Sequence, residues 1–113
     1  MMSDREKKFY KAVYFDLSTR ALEENYSRQS PQNAYHLIRN FFQKEKFSHV
    51  QYSGYHTTFK TTDLYVYDLI RTMSAEFPWL RLCVSNFEVT NIGRNHDLLD
   101  LFTGEAKEME PLP

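Results

Sequence analysis

The order of apolar and polar residues divides the chain into strand-like and helix-like segments. The first, residues 9 to 17 (FYKAVYFDL), is rich in aromatic and β-branched residues, which is typical of a strand. Alternation along a strand sends neighbouring side chains to opposite faces. One face then carries Phe9, Val13, Phe15 and Leu17 with Lys11, and the other carries Tyr10, Ala12, Tyr14 and Asp16. Both faces are largely apolar, so we expect both to be covered.

Two stretches with helical spacing follow. Ser30-Pro31 predicts the start of the first, because serine can cap free amides and proline suits the first helical position; the pattern continues to about Lys46. The second is expected to be capped by Thr61 or Thr62 and to stop at Pro78. The residues expected to face the core are Ala34, Leu37, Ile38, Phe41 and Phe42 in the first helix and Leu64, Tyr67, Ile70, Met73 and Phe77 in the second.

The segments between and after these helices are shorter or more polar. Residues 18 to 29 indicate a polar connection with room for one helical turn. Residues 49 to 56 indicate a short extended segment, with a bend or bulge at Gly54. Residues 80 to 92 form a second long strand region that can break into two, and residues 98 to 102 form a short apolar piece.

This order predicts an α+β fold of the ferredoxin-like βαββαβ type, with the helices on one face of an antiparallel sheet. The other face would lie bare, and a second copy of the chain is the simplest cover, so we expect a homodimer through that face. We expect a single domain over residues 9–103, between a flexible N-terminal segment, 1–8, and a flexible tail, 104–113.

Composition narrows the class of protein. A chain of 113 residues has room for one domain, and its single cysteine, Cys83, excludes an internal disulfide. No apolar run is long enough for a membrane span, and the charged N-terminal residues do not resemble a signal peptide, so we expect a cytoplasmic protein. The formal net charge is -1, so any contact with nucleic acid has to be local, weak, metal-assisted or built by two subunits.

Asp16 is the first candidate for chemistry, because a carboxylate at the end of an apolar strand needs a partner. One interpretation is that it caps the following Ser-Thr turn or pairs with a lysine or arginine. The other uses the dimer: two copies of Asp16 near a twofold axis could hold one Mg²⁺ through oxygen ligands.

A second candidate is the segment from Gln51 to Tyr55, which gathers hydroxyl groups and an amide. These groups can contact phosphate or ribose and the tyrosines can stack on bases, although an ordinary half-buried strand gives the same pattern. The four histidines do not converge in sequence, and we interpret them as surface or packing residues. Cys83 is interpreted as a small buried hydrophobe.

Five short stretches, in this order and spacing, resemble the virulence-associated protein D (VapD) family, which is itself related in fold to the small second CRISPR-associated protein. They are Ala12–Leu17, Asn33–Tyr35, Gln51-x-Ser53-x-Tyr55, Phe77–Trp79 and Val84. The resemblance covers residues 10 to about 102. It implies a ferredoxin-like fold, a homodimer, endoribonuclease activity and, in some members, the role of toxin in a toxin–antitoxin pair.

The late strand departs from the family pattern. Members often carry Ser-Val-Arg-Asp-Ile-Arg where this chain has Cys83-Val-Ser-Asn-Phe-Glu88, so two arginines and an aspartate are replaced by Ser85, Glu88 and Asn86. If those arginines hold RNA phosphates, we expect weaker or different RNA binding here.

The resemblance implies a metal-dependent endoribonuclease that cleaves single-stranded RNA and, where it acts as a toxin, has a small antitoxin protein as partner. Asp16 and Ser53 would be catalytic, Asp16 would hold Mg²⁺ or another divalent cation, and Tyr14, Gln51 and Tyr55 would bind substrate. The alternative is a non-catalytic homodimeric adaptor for a protein or nucleic acid, which the missing arginines favour. A module that binds a small metabolite between subunits is a third class.

Overall fold

A four-stranded antiparallel sheet organises the chain. The computed structural model describes residues 7–93 and Phe102. The strands are β1 (Tyr10–Leu17), β2 (Phe47–Gln51), β3 (Gly54–Thr57) and β4 (Val84–Ile92), and their order across the sheet is β2-β3-β1-β4. The helices are α1 (Thr19–Asn25), α2 (Asn33–Lys44), α3 (Asp63–Glu76) and α4 (Leu80–Cys83).

The alternation of β1 decides where the core lies. Val13, Phe15 and Leu17 point to one side of the sheet, where they join a single apolar cluster with residues of all four helices. On the other side Tyr10 is exposed, Tyr14 is half-buried and Asp16 is exposed, while the small Ala12 is covered. The predicted sorting of β1 is confirmed, but its second face is not fully covered within one chain.

The predicted α+β class with an antiparallel sheet is confirmed, and the order of elements is compatible with a ferredoxin-like arrangement. Most of the predicted flexible ends, and the apolar piece at residues 98 to 102 apart from Phe102, lie outside the described residues. Among the described helices, none combines the length and the apolar character needed to cross a bilayer.

Two connections differ from the prediction. The polar segment after β1 contains a seven-residue helix, α1, because the Ser18 hydroxyl accepts a hydrogen bond from the Ala21 N–H (3.1 Å) and Leu22 packs into the core. Helix α2 begins at Asn33 rather than at Ser30-Pro31. Pro31 belongs to a turn before α2, where its carbonyl accepts from the Ala34 N–H (3.2 Å).

The start of α3 was predicted correctly, but its buried face was not. Thr62 caps α3 by accepting a hydrogen bond from the Tyr65 N–H (3.1 Å). Of the five residues predicted to face the core, Met73 is fully buried, whereas Leu64 and Tyr67 are exposed. Apolar residues occur around much of α3, so its sequence allows more than one buried face, and packing selected the one with Val66 and Leu69.

The two extended regions also resolve into distinct elements. Residues 49 to 56 belong to a hairpin in which β2 and β3 pair, with a register shift between His49 and Gln51. The long region from residue 80 begins as the short helix α4 and continues as β4, which pairs with β1 along its length.

Lys11 is a fully buried cation that ties three elements together. It lies on β1, its ammonium group donates to the Asp63 carboxylate at the start of α3 (2.5 Å), and it also donates to the Asn91 side-chain carbonyl on β4. The ammonium also lies 5.3 Å from the centre of the Phe9 ring. These partners offset the cost of removing a charged group from water.

We predict that Asp63→Ala lowers the free energy of unfolding by about 3 kcal/mol, because it leaves the Lys11 charge buried without its counter-ion. Lys11→Met is the matched control: methionine fills a similar volume, and the partly exposed Asp63 can be hydrated, so we expect a change of less than about 1 kcal/mol. Urea denaturation measures both. Equal losses in the two variants would contradict this account of the pair.

Candidate active site at the end of the first strand

Asp16 is the second-last residue of β1, and its side chain lies on the face of the sheet away from the core. Its side chain is exposed, as the two-residue period requires once Phe15 and Leu17 are buried. On β4 the residue directly opposite is Asn86, and the Ser85 hydroxyl donates to the Asp16 carbonyl (3.2 Å). The backbone of Asp16 is therefore held by β4 while its carboxylate remains accessible.

Ser53 is brought to the same end of β1 by a backbone hydrogen bond. The Phe15 N–H donates to the Ser53 carbonyl (3.1 Å), so the connection between β2 and β3 lies against the residue before Asp16. Ser53 itself is half-buried. The structure thus places the backbone of Ser53 at the same end of β1 as Asp16, although the two residues are 37 positions apart in the sequence.

Tyr35 joins this group from α2. Its ring packs 6.3 Å from Phe15 and 4.3 Å from Tyr52, measured between ring centres. Burial raises the pKa of the Tyr35 hydroxyl, the nearby Tyr52 and Asp16 raise it further, and a hydrogen bond with the backbone of Leu17 lowers it. The hydroxyl therefore stays protonated at neutral pH.

Sequence reasoning did not assign a role to Tyr35. The signal was present, because Tyr35 ends one of the stretches that carry the family resemblance, but nothing in the sequence places α2 beside Asp16. Only the packing of Tyr35 against Phe15 reveals the juxtaposition.

Tyr14 and Gln51, predicted to bind substrate, lie together on the open face of the sheet. They flank Gly54, which pairs with both in the β-sheet register and has no side chain to separate them. A Cβ atom on Gly54 would come within 2.5 Å of the Gln51 Cγ and 2.8 Å of the Tyr14 ring. The Tyr14 hydroxyl also forms a hydrogen bond with Nε2 of His56 (3.0 Å).

Tyr55 occupies a different place from the one predicted for a base-stacking residue. It pairs with Val13, its side chain points into the core and only 1% of it is exposed. Its ring stacks on Phe42 and His49, at 4.6 and 4.8 Å between ring centres, and burial raises the pKa of its hydroxyl to about 12. The neighbouring Tyr52, 62% exposed, offers the open ring of this hairpin instead.

The described residues of one chain do not by themselves supply a full set of ligands for the expected Mg²⁺. In the β1–β4 pair, the residue opposite Asp16 is the amide Asn86 rather than a second carboxylate. Over residues 7–93 there is no group of three or more His, Cys, Asp or Glu side chains that could hold a metal ion. A divalent cation at Asp16 would therefore need ligands beyond these described residues.

Comparison with known proteins finds a relative whose name states an activity. The chain is 28% identical to endoribonuclease VapD 2 of Riemerella anatipestifer over 88 residues, which make up 78% of this chain and 94% of that protein. This similarity supports a relationship with the VapD family. No protein-family model matches it.

On the late strand, the three positions that differ from the family pattern lie beside the candidate site. Asn86 is opposite Asp16, Glu88 is opposite Tyr14, and Ser85 contacts the Asp16 backbone. The Asn86 side-chain amide donates to the Glu88 carboxylate (3.0 Å). The change from the basic family pattern thus alters the charge at the edge of this site.

We predict that Gly54→Ala lowers the free energy of unfolding by about 1–3 kcal/mol, because the added methyl group overlaps Gln51 and Tyr14. Gly93→Ala is the matched control, since no atom lies within 4 Å of a Cβ at that position, and we expect a change within about 0.5 kcal/mol. Denaturation in urea compares the two. A Gly54→Ala variant as stable as the control would show that the two side chains can move aside freely.

Proposed function

We propose that this protein is an endoribonuclease that cleaves single-stranded RNA at the end of β1. The observation that carries the proposal is the exposed carboxylate of Asp16 at the end of β1, where the backbone of Ser53 bonds to Phe15, in a relative of a protein named as an endoribonuclease. A fold of this kind supports many functions, so the site rather than the fold is the argument.

The side chains suit cleavage of a phosphodiester bond. Asp16 is exposed and forms no ion pair with any cation in the described part of the chain, so its carboxylate can accept the proton of an attacking hydroxyl group. As the attacking oxygen bonds to phosphorus, the bond from phosphorus to the leaving ribose oxygen breaks, and the leaving oxygen takes up a proton from water. The Ser53 hydroxyl and the protonated Tyr35 hydroxyl can donate hydrogen bonds to the charge on the phosphate oxygens.

Homodimer formation is part of the proposal. The open face of the sheet carries Tyr10, 38% exposed, with Tyr14 beside it, and a second copy would remove this aromatic surface from water. Two copies of Asp16 near the twofold axis would repel each other unless a cation or a proton lay between them. A divalent cation shared there would neutralise charge on the phosphate, and its ligands would come from both copies.

The role of toxin in a toxin–antitoxin pair rests on the family resemblance. The alternative, a non-catalytic adaptor, is favoured by the late strand, where Glu88 and Ser85 stand in place of arginines beside the site. The two functions differ in whether the protein cuts RNA.

We predict that the purified protein cleaves unstructured RNA and that Asp16→Asn slows cleavage at least about 100-fold, because the amide keeps the shape but cannot accept a proton. Asp68→Asn, an exposed aspartate on α3, is the control for loss of one negative charge. Cleavage is followed on a labelled RNA by gel, with Mg²⁺ or with EDTA.

Equal rates for wild type and Asp16→Asn would exclude this mechanism. Cleavage that persists in EDTA would exclude metal dependence but not the role of Asp16. A wild type that binds RNA without cutting it, with any divalent cation, would favour the adaptor.

We predict that the wild type is a dimer at micromolar concentration and that Tyr14→Asp shifts it to monomer, because the change buries an unpaired charge in the interface. Tyr67→Asp, on an exposed position of α3, should leave the dimer intact. Light scattering measures the mass, and circular dichroism checks the fold. A monomeric wild type at high concentration would overturn the dimer.

A further inference from the structure

A small pocket lies beside the candidate site, between α2 and the hairpin of β2 and β3. Its volume is about 210 Å³, and its lining includes Gln32, Tyr35, His36, Arg39, His49 and Tyr52. Tyr35 connects the pocket with the end of β1, because its ring lines the pocket and also packs 6.3 Å from Phe15, the residue before Asp16. A group bound in the pocket would therefore lie near the end of β1 that carries Asp16.

The lining is suited to an anion. It contains one arginine and two histidines and no carboxylate, although acidic residues outnumber basic ones in the whole chain, fifteen to fourteen. Arg39 is exposed, and no carboxylate within residues 7–93 forms an ion pair or hydrogen bond with it. Its positive charge is still felt in the pocket, since it lowers the pKa of the Tyr55 hydroxyl against the larger effect of burial. Arginine binds phosphate oxygens through paired N–H groups.

The pocket also offers an aromatic surface. Tyr52 is 62% exposed. Its ring packs against the ring of Tyr35, with 4.3 Å between ring centres and 32° between ring planes. Tyr35 therefore supports the Tyr52 ring while that ring remains accessible. His49 is fixed by stacking on Tyr55 and by a contact between its Nε2 and the Tyr52 carbonyl (3.3 Å). A supported, open aromatic ring is the usual platform for an unpaired base.

Another pocket, of about 400 Å³, contains Lys44, Lys46 and Tyr65, but it differs in two respects. It includes a carboxylate, Glu45, and it lies at the opposite end of β2 from the hairpin connection. Its charge is therefore partly neutralised, and it is not adjacent to Asp16.

We propose that the pocket between α2 and the hairpin binds one nucleotide of a single-stranded RNA, with its phosphate on Arg39 and its base stacked on Tyr52. The inference rests on the proposed function for the identity of the polymer, and it adds how the strand is positioned beside Asp16. It also explains how a protein without excess positive charge holds RNA: one local cation and one aromatic ring replace a broad basic surface.

The test is the affinity of the full-length protein for a fluorescently labelled, unstructured RNA oligonucleotide, measured by anisotropy in EDTA and in an Asp16→Asn background. Arg39→Gln should weaken binding about tenfold and reduce the salt slope by about 0.7, the effect of one phosphate contact on a single strand. Arg71→Gln, which removes the same charge from α3, is the control and should change neither quantity.

Tyr52→Ala should weaken binding at least about fivefold without changing the salt slope, because stacking releases no counterions. Tyr52→Phe should bind like the parent, since it keeps the ring. Tyr67→Ala controls for loss of an exposed tyrosine elsewhere. The salt slope should fall for Arg39→Gln and stay unchanged for Tyr52→Ala, and this difference separates a phosphate contact from a base contact. Unfolding of the variants would not produce that difference.

The outcomes distinguish this inference from the proposed function. If the wild type cuts RNA while Arg39→Gln and Tyr52→Ala bind as tightly as the parent, the pocket proposal is overturned and the nuclease stands. If the variants bind weakly as described but the wild type never cuts RNA, the pocket stands and the nuclease falls. If Arg39→Gln weakens binding but Tyr52→Ala does not, the pocket binds only an anion, and the proposal that it holds a whole nucleotide is overturned. No RNA binding by the parent overturns the pocket as well.

Discussion

β1 pairs along both of its edges, and the rest of the molecule is arranged around that constraint. Its backbone groups are used by β3 on one side and β4 on the other, so its side chains can only alternate between the two faces of the sheet. Once Val13 and Phe15 enter the core, Tyr14 and Asp16 must lie on the opposite face. The exposure of the candidate carboxylate is therefore a consequence of core formation.

The same strand also positions Ser53 and Tyr35 near its end. Phe15 contributes twice: its N–H binds the Ser53 carbonyl, and its ring packs against Tyr35. A substitution of Phe15 would disturb the core and the site together. At the other end of β1, Lys11 links the strand to α3 through Asp63 and to β4 through Asn91. These contacts hold β1 in place at the end away from Asp16.

Charge is distributed locally in this protein. The whole chain is nearly neutral. On the late strand, Ser85 and Glu88 occupy positions where the family pattern has arginines, and Glu88 lies opposite Tyr14. The pocket next to Tyr35 carries Arg39 and two histidines without a carboxylate. Net charge alone would exclude tight binding to nucleic acid, whereas the position of a few side chains permits a specific contact.

The sequence by itself determined the α+β class, the faces of β1, the buried side of α2 and a threonine cap for α3 at Thr61 or Thr62, because each depends on spacing or on the chemistry of adjacent residues. Its motifs also selected Asp16 and Ser53 as candidates and indicated the family.

Only the tertiary structure decided the rest. The buried face of α3 depended on which apolar side met the sheet, and the burial of Tyr55 and exposure of Tyr52 depended on the register of the hairpin. The packing of Tyr35 against Phe15, and the shared pocket of Arg39 and Tyr52, join residues from separate elements. Such contacts are fixed by packing between elements, which no local pattern in the chain encodes.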